Sequence, residues 1–227
     1  MPRCSLSRLS TAQRHHIFVG SALAVAVLNL VNMAVLHHSG AERKALRDAV
    51  TSCSDVTIPS APAIAACSKV IDGSPKAAWA YANRGLAYSS NMQQDRAIAD
   101  LDTAISIDPG HARAYAIRAV VFGLKGDREH EIADYSKAIT LNSADAYSYS
   151  NRAAAHFRNG EGQLAIADAS RAIEINPKLV AAYINRAVVR EKSGDRAHAI
   201  EDYRSALAIN PNNWASADGL KRLGNGG

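Results

Sequence analysis

The chain has 227 residues, of which 48% are hydrophobic and 6% aromatic, so it has enough apolar material for one or two domains. Ala, Ile, Leu and Val supply most of that material, which favours packed helices over strands and predicts an all-α fold. Arg3, Arg8 and Arg14 carry three units of the net charge of +5, which leaves only +2 on residues 41–227. This distribution provides no basic stripe and argues against nucleic-acid binding.

Residues 17–36 are the first predicted element, an uncharged apolar segment long enough to cross a bilayer as a helix. The preceding tail, residues 1–16, is basic, and the positive-inside rule therefore places it in the cytoplasm. We expect an uncleaved signal anchor that exports the rest of the chain to the periplasmic side. The alternative is a signal peptide cleaved near the small residues 39–41, which would release a secreted protein.

Cys53 and Cys67 are the only cysteines in the part of the chain that is predicted to be exported. A cysteine pair in an oxidising compartment usually forms a disulfide, and we expect one here. Closing a loop of this size contributes about 3 kcal/mol. The alternative is two buried free thiols that act as small apolar residues. No His or further Cys stands at ligand spacing beside them, so no metal site is expected.

A 34-residue repeat organises the remainder of the chain. The stretch YANRGLAY at residue 81 returns as YAIRAVVF at 115, YSNRAAAH at 149 and YINRAVVR at 183. A fixed period of this length indicates an array in which each unit is one supersecondary element. The four predicted units are 78–111, 112–145, 146–179 and 180–213.

Each unit is predicted to hold two helices, which we call the opening and the closing helix. Gly126 and Gly194 suit the left-handed backbone at the end of an opening helix, and Asp127 and Asp195 suit the cap of the closing helix. An Asp-Pro or Asn-Pro pair stops the closing helix in three units. The second unit has Asn142 followed by serine, which predicts a softer stop.

These residues resemble the tetratricopeptide repeat (TPR), whose pattern is an aromatic residue, Leu-Gly, Tyr, and later Ala, Phe, Ala and Pro. The first unit matches it with Tyr81, Gly85, Tyr88, Ala97, Leu101, Ala104 and Pro109. The fourth unit matches it with Tyr183, Ala187, Ala199, Tyr203, Ala206 and Pro211. The resemblance implies a right-handed α-solenoid, here preceded by one transmembrane helix.

The pattern extends beyond the four units on both sides. Residues 37–77 are predicted to be a linker and a degenerate capping repeat, in which residues 63–75 match a closing helix. Cys53 and Cys67 would then join the two helices of that capping unit. Residues 214–227 are predicted to be a terminal capping helix and tail. Atypical terminal units are expected in such arrays.

Two charged columns follow the same period. Arginines recur on the opening helices and aspartates on the closing helices, always 16 residues apart: Arg84, Arg118, Arg152 and Arg186 with Asp100, Asp134, Asp168 and Asp202. Stacked arginines could form an anion track. The equal numbers and constant offset favour Arg–Asp pairs that fix the register of the stack.

A different side of the opening helices is predicted to bind a partner. Residues at spacing 0, 4, 7 and 11 share one side of a helix, and in the family that the chain resembles this side lines a concave groove for a peptide or helix. The expected contact residues are Trp79, Asn83, Leu86, Ile117, Val120, Leu124, Tyr147, Asn151, Asn185 and Val188. We expect this groove to be mostly apolar.

Two alternatives concern the polar groups of this groove. Its asparagines could hydrogen-bond a peptide backbone or be ordinary family residues without a ligand. One class of the family clamps a carboxy-terminal carboxylate with lysines on the first and third opening helices. Those lysines are missing here, where Ala82, Leu86 and Tyr147 stand instead.

The sequence contains no phosphate-binding loop, nucleophile motif or paired histidine ligands, so no enzyme activity, cofactor or metal is expected. It predicts a protein-binding module at a membrane surface, which acts as a scaffold, assembly factor or client chaperone. The alternative is a structural accessory subunit of a membrane enzyme complex without an exchangeable client.

Overall fold

The structure is a computed structural model that describes residues 40–55 and 57–224. These residues form eleven α-helices and no strands. The helices are α1 (Gly40–Ser54), α2 (Ser60–Gly73), α3 (Ala78–Ser90), α4 (Gln94–Ile107), α5 (Ala112–Lys125), α6 (Arg128–Leu141), α7 (Ala146–Arg158), α8 (Gly162–Ile175), α9 (Val180–Lys192), α10 (Arg196–Ile209) and α11 (Trp214–Gly224). The predicted transmembrane segment, residues 17–36, lies outside the described part. Within the described part, no helix has the length and apolar character needed to cross a membrane.

Helices α3 to α10 form four pairs, one for each 34-residue unit. Each helix of these pairs packs most extensively on its partner within the unit. Its second contact is with the helix beside it in the chain, in the preceding unit for an opening helix and in the following one for a closing helix. Helices α1 and α2 form a further pair at the amino-terminal end, and α11 packs on α10 at the other end. The all-helical repeat array that the sequence predicts is therefore present.

The four closing helices end at equivalent residues, Ile107, Leu141, Ile175 and Ile209. The predicted softer stop in the second unit is wrong, because α6 ends in the same register as the others. The residue after each helix is Asp or Asn, and its side-chain oxygen accepts a hydrogen bond from the backbone N–H two residues later. This Asx turn, which proline does not supply, closes all four helices alike.

The turn inside each unit contains one residue with a left-handed backbone. Gly126, Gly160 and Gly194 have φ angles of 79°, 80° and 82°, whereas the equivalent residue of the first unit is Met92, with φ 59°. A side chain makes this conformation costly. The predicted caps are confirmed, since Asp127 and Asp195 each accept a hydrogen bond from the backbone N–H three residues later.

Many of the buried apolar residues of the described chain form four clusters. One joins the amino-terminal pair to the first unit, one joins units 1 and 2, one joins units 3 and 4, and one joins unit 4 to α11. Cys53 and Cys67 form the predicted disulfide between α1 and α2, within the first cluster. Tyr135, Ala138 and Ile139 on α6 and Ala155 on α7 are also buried, outside these four clusters.

Candidate peptide-binding groove

We call one surface of helices α3, α5, α7 and α9 the opening-helix face. It consists of Trp79, Asn83, Leu86, Ser90, Arg113, Ile117, Val120, Leu124, Tyr147, Asn151, Ala154, Arg158, Ala181, Asn185, Val188 and Lys192. Ten of these residues were predicted to contact a partner. Their exposure differs, and it decides which of them can reach a ligand.

Three large apolar residues of this face are exposed. Val120 is 41% exposed, Leu124 61% and Tyr147 65%, and all three lie in units 2 and 3. Trp79, Leu86 and Val188 are only partly exposed and pack against core clusters. The apolar surface open to a partner is therefore concentrated in the middle of the array.

Ile117 and Asn83 are buried, with 7% and 9% exposure, so their predicted role as contact residues does not fit the structure. The Asn83 amide donates a hydrogen bond to the carbonyl oxygen of Cys53 at 2.9 Å, and its own oxygen accepts one from Arg113. A buried polar group must be satisfied within the protein. Asn83 thus connects the amino-terminal pair, unit 1 and unit 2.

Asn185 and Asn151 make similar contacts between units. The Asn185 amide donates to the backbone oxygen of Ser150 at 2.8 Å, which links α9 to α7. The Asn151 side chain lies within hydrogen-bonding reach of the Tyr135 hydroxyl, which links α7 to α6. Asn83 and Asn185 therefore bond within the chain, whereas Asn151 is exposed.

Arg113 is the most unusual charged residue of the face. One of its N–H groups donates to Asn83 at 2.9 Å, and no carboxylate of the described chain lies within ion-pair distance of it. Although the residue as a whole is exposed, crowding by the surrounding protein lowers the pKa of its guanidinium, because burial disfavours the charged form. The expectation of a mostly apolar groove is therefore incomplete, since an unpaired cation lies at its edge.

Arg158, also on the opening-helix face, pairs with a carboxylate that lies behind the face. This residue, Glu131, is 4% exposed at its side chain and occupies a position that is alanine in the other three units. Gly123 makes room for it, since a Cβ atom there would lie 2.7 Å from the Glu131 Oε1 atom. Oε1 accepts a hydrogen bond from Arg158, while the buried Oε2 has no partner. This ion pair connects α6 to α7.

All four predicted Arg–Asp pairs are present within the units. In each pair the Nε and Nη2 atoms donate to the two carboxylate oxygens at 2.7 to 3.0 Å: Arg84–Asp100, Arg118–Asp134, Arg152–Asp168 and Arg186–Asp202. These side chains are mostly buried. The hydrogen bond to aspartate raises the pKa of Arg84, Arg118 and Arg152.

The same arginines also reach into the preceding unit, which sequence reasoning missed. The Nη1 atom of each one donates to a side chain 16 residues earlier: Ser68, Asp102, Ser136 and Ser170. The repeat tyrosines, Tyr81, Tyr115, Tyr149 and Tyr183, lie under the guanidinium groups with centroids 5.6 to 6.0 Å away. We call the whole arrangement the arginine ladder. It fastens each unit to its neighbour and leaves no free arginine track for an anion.

A cavity of about 320 Å³ lies at the amino-terminal end of the opening-helix face. Leu86 and Ser90 line one side, and Cys53, Asp55 and Ile58 line the other. The disulfide therefore forms part of the support of this end of the face. In residues 40–55 and 57–224, no three His, Cys, Asp or Glu side chains are grouped so that they could hold a metal ion.

Comparison with known proteins identifies one family. The sequence profile described as the ETO1 C-terminal domain matches residues 64–225, from the closing helix of the amino-terminal pair to the end of α11. No curated protein sequence matches the chain.

Several solved structures have a similar fold, including two TPR proteins. A crystal structure of MamA is 25% identical, with a TM-score of 0.59 over 67% of this chain and 83% of that chain. YrrB, a TPR protein with an unusual peptide-binding site, is 18% identical, with a TM-score of 0.60 over 71% of this chain and 84% of that chain. The first TPR domain of human RPAP3 is 24% identical, with a TM-score of 0.50 over 51% of this chain and 91% of that chain.

Proposed function

Because this chain belongs to the ETO1 C-terminal domain family and is a TPR-like repeat protein, we propose that it binds another protein through its opening-helix face. The partner would supply an extended segment or a helix. The chain would act as a scaffold, assembly factor or client chaperone and would need no chemistry of its own.

The observation that carries this proposal is the exposure of Val120, Leu124 and Tyr147 on one face. Met92, Leu164 and Trp214 are also exposed, but each lies on a different element, whereas the three residues of the proposed site share one face of two neighbouring opening helices. Exposed apolar side chains grouped on one surface are typical of binding sites. Leucine and tyrosine also offer large contact areas for a partner.

Display at a membrane is part of the proposal. Residues 17–36 would anchor the chain, with the amino terminus in the cytoplasm and the repeats on the periplasmic side. The disulfide between Cys53 and Cys67 supports an oxidising compartment, because such bonds persist there and are rare in the cytosol.

Site-specific photocrosslinking in membranes tests the proposal. A photoreactive phenylalanine analogue would replace Tyr147 on the opening-helix face, and a matched variant would carry it at Leu141, which is 37% exposed on a closing helix. We expect a discrete partner to crosslink from position 147 only. Adding Leu124→Glu should abolish that product, because a charge would enter the apolar contact. Equal capture from both positions would contradict the proposal.

The alternative, a structural accessory subunit, has one observation in its favour. Asn83 and Asn185 of the face already bond within the chain, so the face offers few free polar groups to an exchanging peptide. A permanent subunit would copurify with its complex at fixed stoichiometry, whereas a chaperone or scaffold would release its partner on dilution.

A further inference from the structure

The residues of the opening-helix face include basic side chains and no acidic one, and a carboxylate, that of Asp55, lies across the cavity at its amino-terminal end. Among its sixteen residues are Arg113, Arg158 and Lys192, and none is Asp or Glu. Glu131 neutralises Arg158 from behind the face. Arg113 and Lys192 have no ion-pair partner among the described residues. The face is therefore complementary to an acidic partner.

Arg113 is held in place by neutral groups. Asn83 accepts its hydrogen bond and in turn donates to the Cys53 carbonyl, which belongs to the disulfide-bonded pair α1–α2. A guanidinium has five N–H donors, and this contact uses one of them. The others remain available on an exposed residue, in the planar arrangement that binds a carboxylate with two hydrogen bonds.

A bound carboxylate would also compensate the positive charge of Arg113, which the surrounding protein partly removes from water. Burial lowers the pKa of Arg113, because it disfavours the charged form of the guanidinium. The ladder arginines, in contrast, each have an aspartate. Arg113 thus lacks only the anion that the other partly buried arginines possess.

The apolar part of the face begins beside Arg113. Leu124 follows it by eleven residues on α5, and at about 1.5 Å per residue the two lie about 16 Å apart on one side of the helix. Val120 lies between them, and Tyr147 stands at the position equivalent to Arg113 in the next unit. Two residues four apart on an extended peptide project to the same side and are separated by about 13 Å along the backbone. Their side chains add to this reach, so the pair can contact both Arg113 and the apolar residues that follow it on α5.

We infer that the partner segment is acidic and partly apolar: an Asp or Glu side chain binds Arg113, and an apolar side chain four residues away packs on Val120 and Leu124. This inference rests on the proposed function. It names the chemistry of the partner and assigns Arg113 as the residue that selects it. Asn83 is a positioning residue, since it acts by holding Arg113.

Selection from a phage library of random twelve-residue peptides tests the inference on the full chain in detergent. The wild type would be compared with Arg113→Gln and with Arg204→Gln, an exposed arginine on closing helix α10. Melting temperatures would verify that both variants are folded. The best selected peptide would then be titrated by fluorescence anisotropy at low and high salt.

We expect wild type and Arg204→Gln to select peptides with Asp or Glu four residues from an aliphatic or aromatic residue. Arg113→Gln should lose the acidic preference and bind the best wild-type peptide about tenfold to a hundredfold more weakly, because a hydrogen-bonded charge contact is lost. Neutral or basic selected peptides, or an acidic preference that survives in Arg113→Gln, would overturn the inference and leave the proposed function standing. If no peptide is selected by any folded variant, both are overturned.

Discussion

The junction between units 1 and 2 and the junction between units 2 and 3 are built from the same repeat in different ways. Leu101, Ala114 and Val121 are fully buried in an apolar cluster at the first junction. The second also buries apolar side chains, Tyr135 and Ala138 on α6 and Ala155 on α7, and adds the Glu131–Arg158 ion pair and the contact between Tyr135 and Asn151. Apolar contacts stabilise a stack without directing it, whereas buried polar contacts fix orientation at a cost in desolvation.

The largest loss of stability is expected from a cavity at the junction between units 1 and 2. Leu101→Ala removes a fully buried side chain, and we expect a loss of about 3 to 4 kcal/mol in the free energy of unfolding. Urea denaturation of the folded chain measures it. A loss below about 1 kcal/mol would mean that the surrounding helices collapse onto the space, and the contrast between junctions would weaken.

The next largest loss of stability is expected for Arg152, the member of the arginine ladder that joins units 2 and 3. Arg152→Ala leaves the partly buried carboxylate of Asp168 uncompensated and removes the bond to Ser136 in unit 2. We expect a loss of about 2 to 3 kcal/mol. A structural ladder predicts a lower melting temperature with little change in partner affinity; the reverse result would assign the arginine to recognition.

The Glu131–Arg158 pair offers a sharper test of the junction between units 2 and 3. Arg158→Ala leaves a buried carboxylate without its partner, and because Arg158 is 45% exposed we expect a moderate loss of about 2 kcal/mol. Adding Glu131→Ala should recover most of it. The matched control is Arg171→Ala in the exposed pair with Glu174, for which about 0.5 kcal/mol or less is expected. A double variant no more stable than Arg158→Ala would show that Glu131 is not the source of the loss.

A gain should come from Met92→Gly. The left-handed backbone at Met92 costs about 1 kcal/mol, which glycine avoids. The opposite substitution, Gly160→Met in the equivalent turn of unit 3, should destabilise by a similar amount. Melting temperatures that move in the same direction in both variants would contradict this account.

The smallest expected effect is a dependence of stability on pH at the junction between units 1 and 2. Burial lowers the pKa of His111, which lies at the amino-terminal end of helix α5; Asp108 opposes this shift and Arg113 adds to it. The folded state therefore favours the neutral ring, so its contribution is present above pH about 6.5 and is lost as the pH falls below that value. His111→Asn should make stability less sensitive to pH between 7 and 5. An unchanged slope of stability against pH would exclude His111 as the cause.

The period of the sequence predicted what every unit shares. The helix pairs and the Arg–Asp pairs follow from one template and its offset of 16 residues, while the Asp caps of the closing helices are confined to units 2 and 4. The disulfide followed from the presence of only two cysteines in the part of the chain that is predicted to be exported. The face was predicted only in part, because helical spacing defines a side and does not say which residues the next unit covers, as Asn83 and Ile117 show.

Contacts between units were the main omission. Ser68, Ser136 and Ser170 recur with the same period as the arginines, and that column could have revealed the bonds across each junction. Glu131 stands where the other three units have alanine, and its side chain fits only because Gly123, on another helix, leaves space for it. A template built from a single unit does not predict such paired changes on two helices.

The last position of that serine column is Arg204, and the residue 34 positions after the final ladder arginine is Leu220. The Leu220 side chain has no group that could reach an acceptor, and Arg204 provides none, whereas every internal junction pairs an arginine with a hydroxyl or carboxylate acceptor. Helix α11 packs on α10 through the last apolar cluster instead, with Leu220 and Leu223 against Tyr203. The arginine ladder therefore ends with the fourth unit, and apolar contacts attach the helix that follows it.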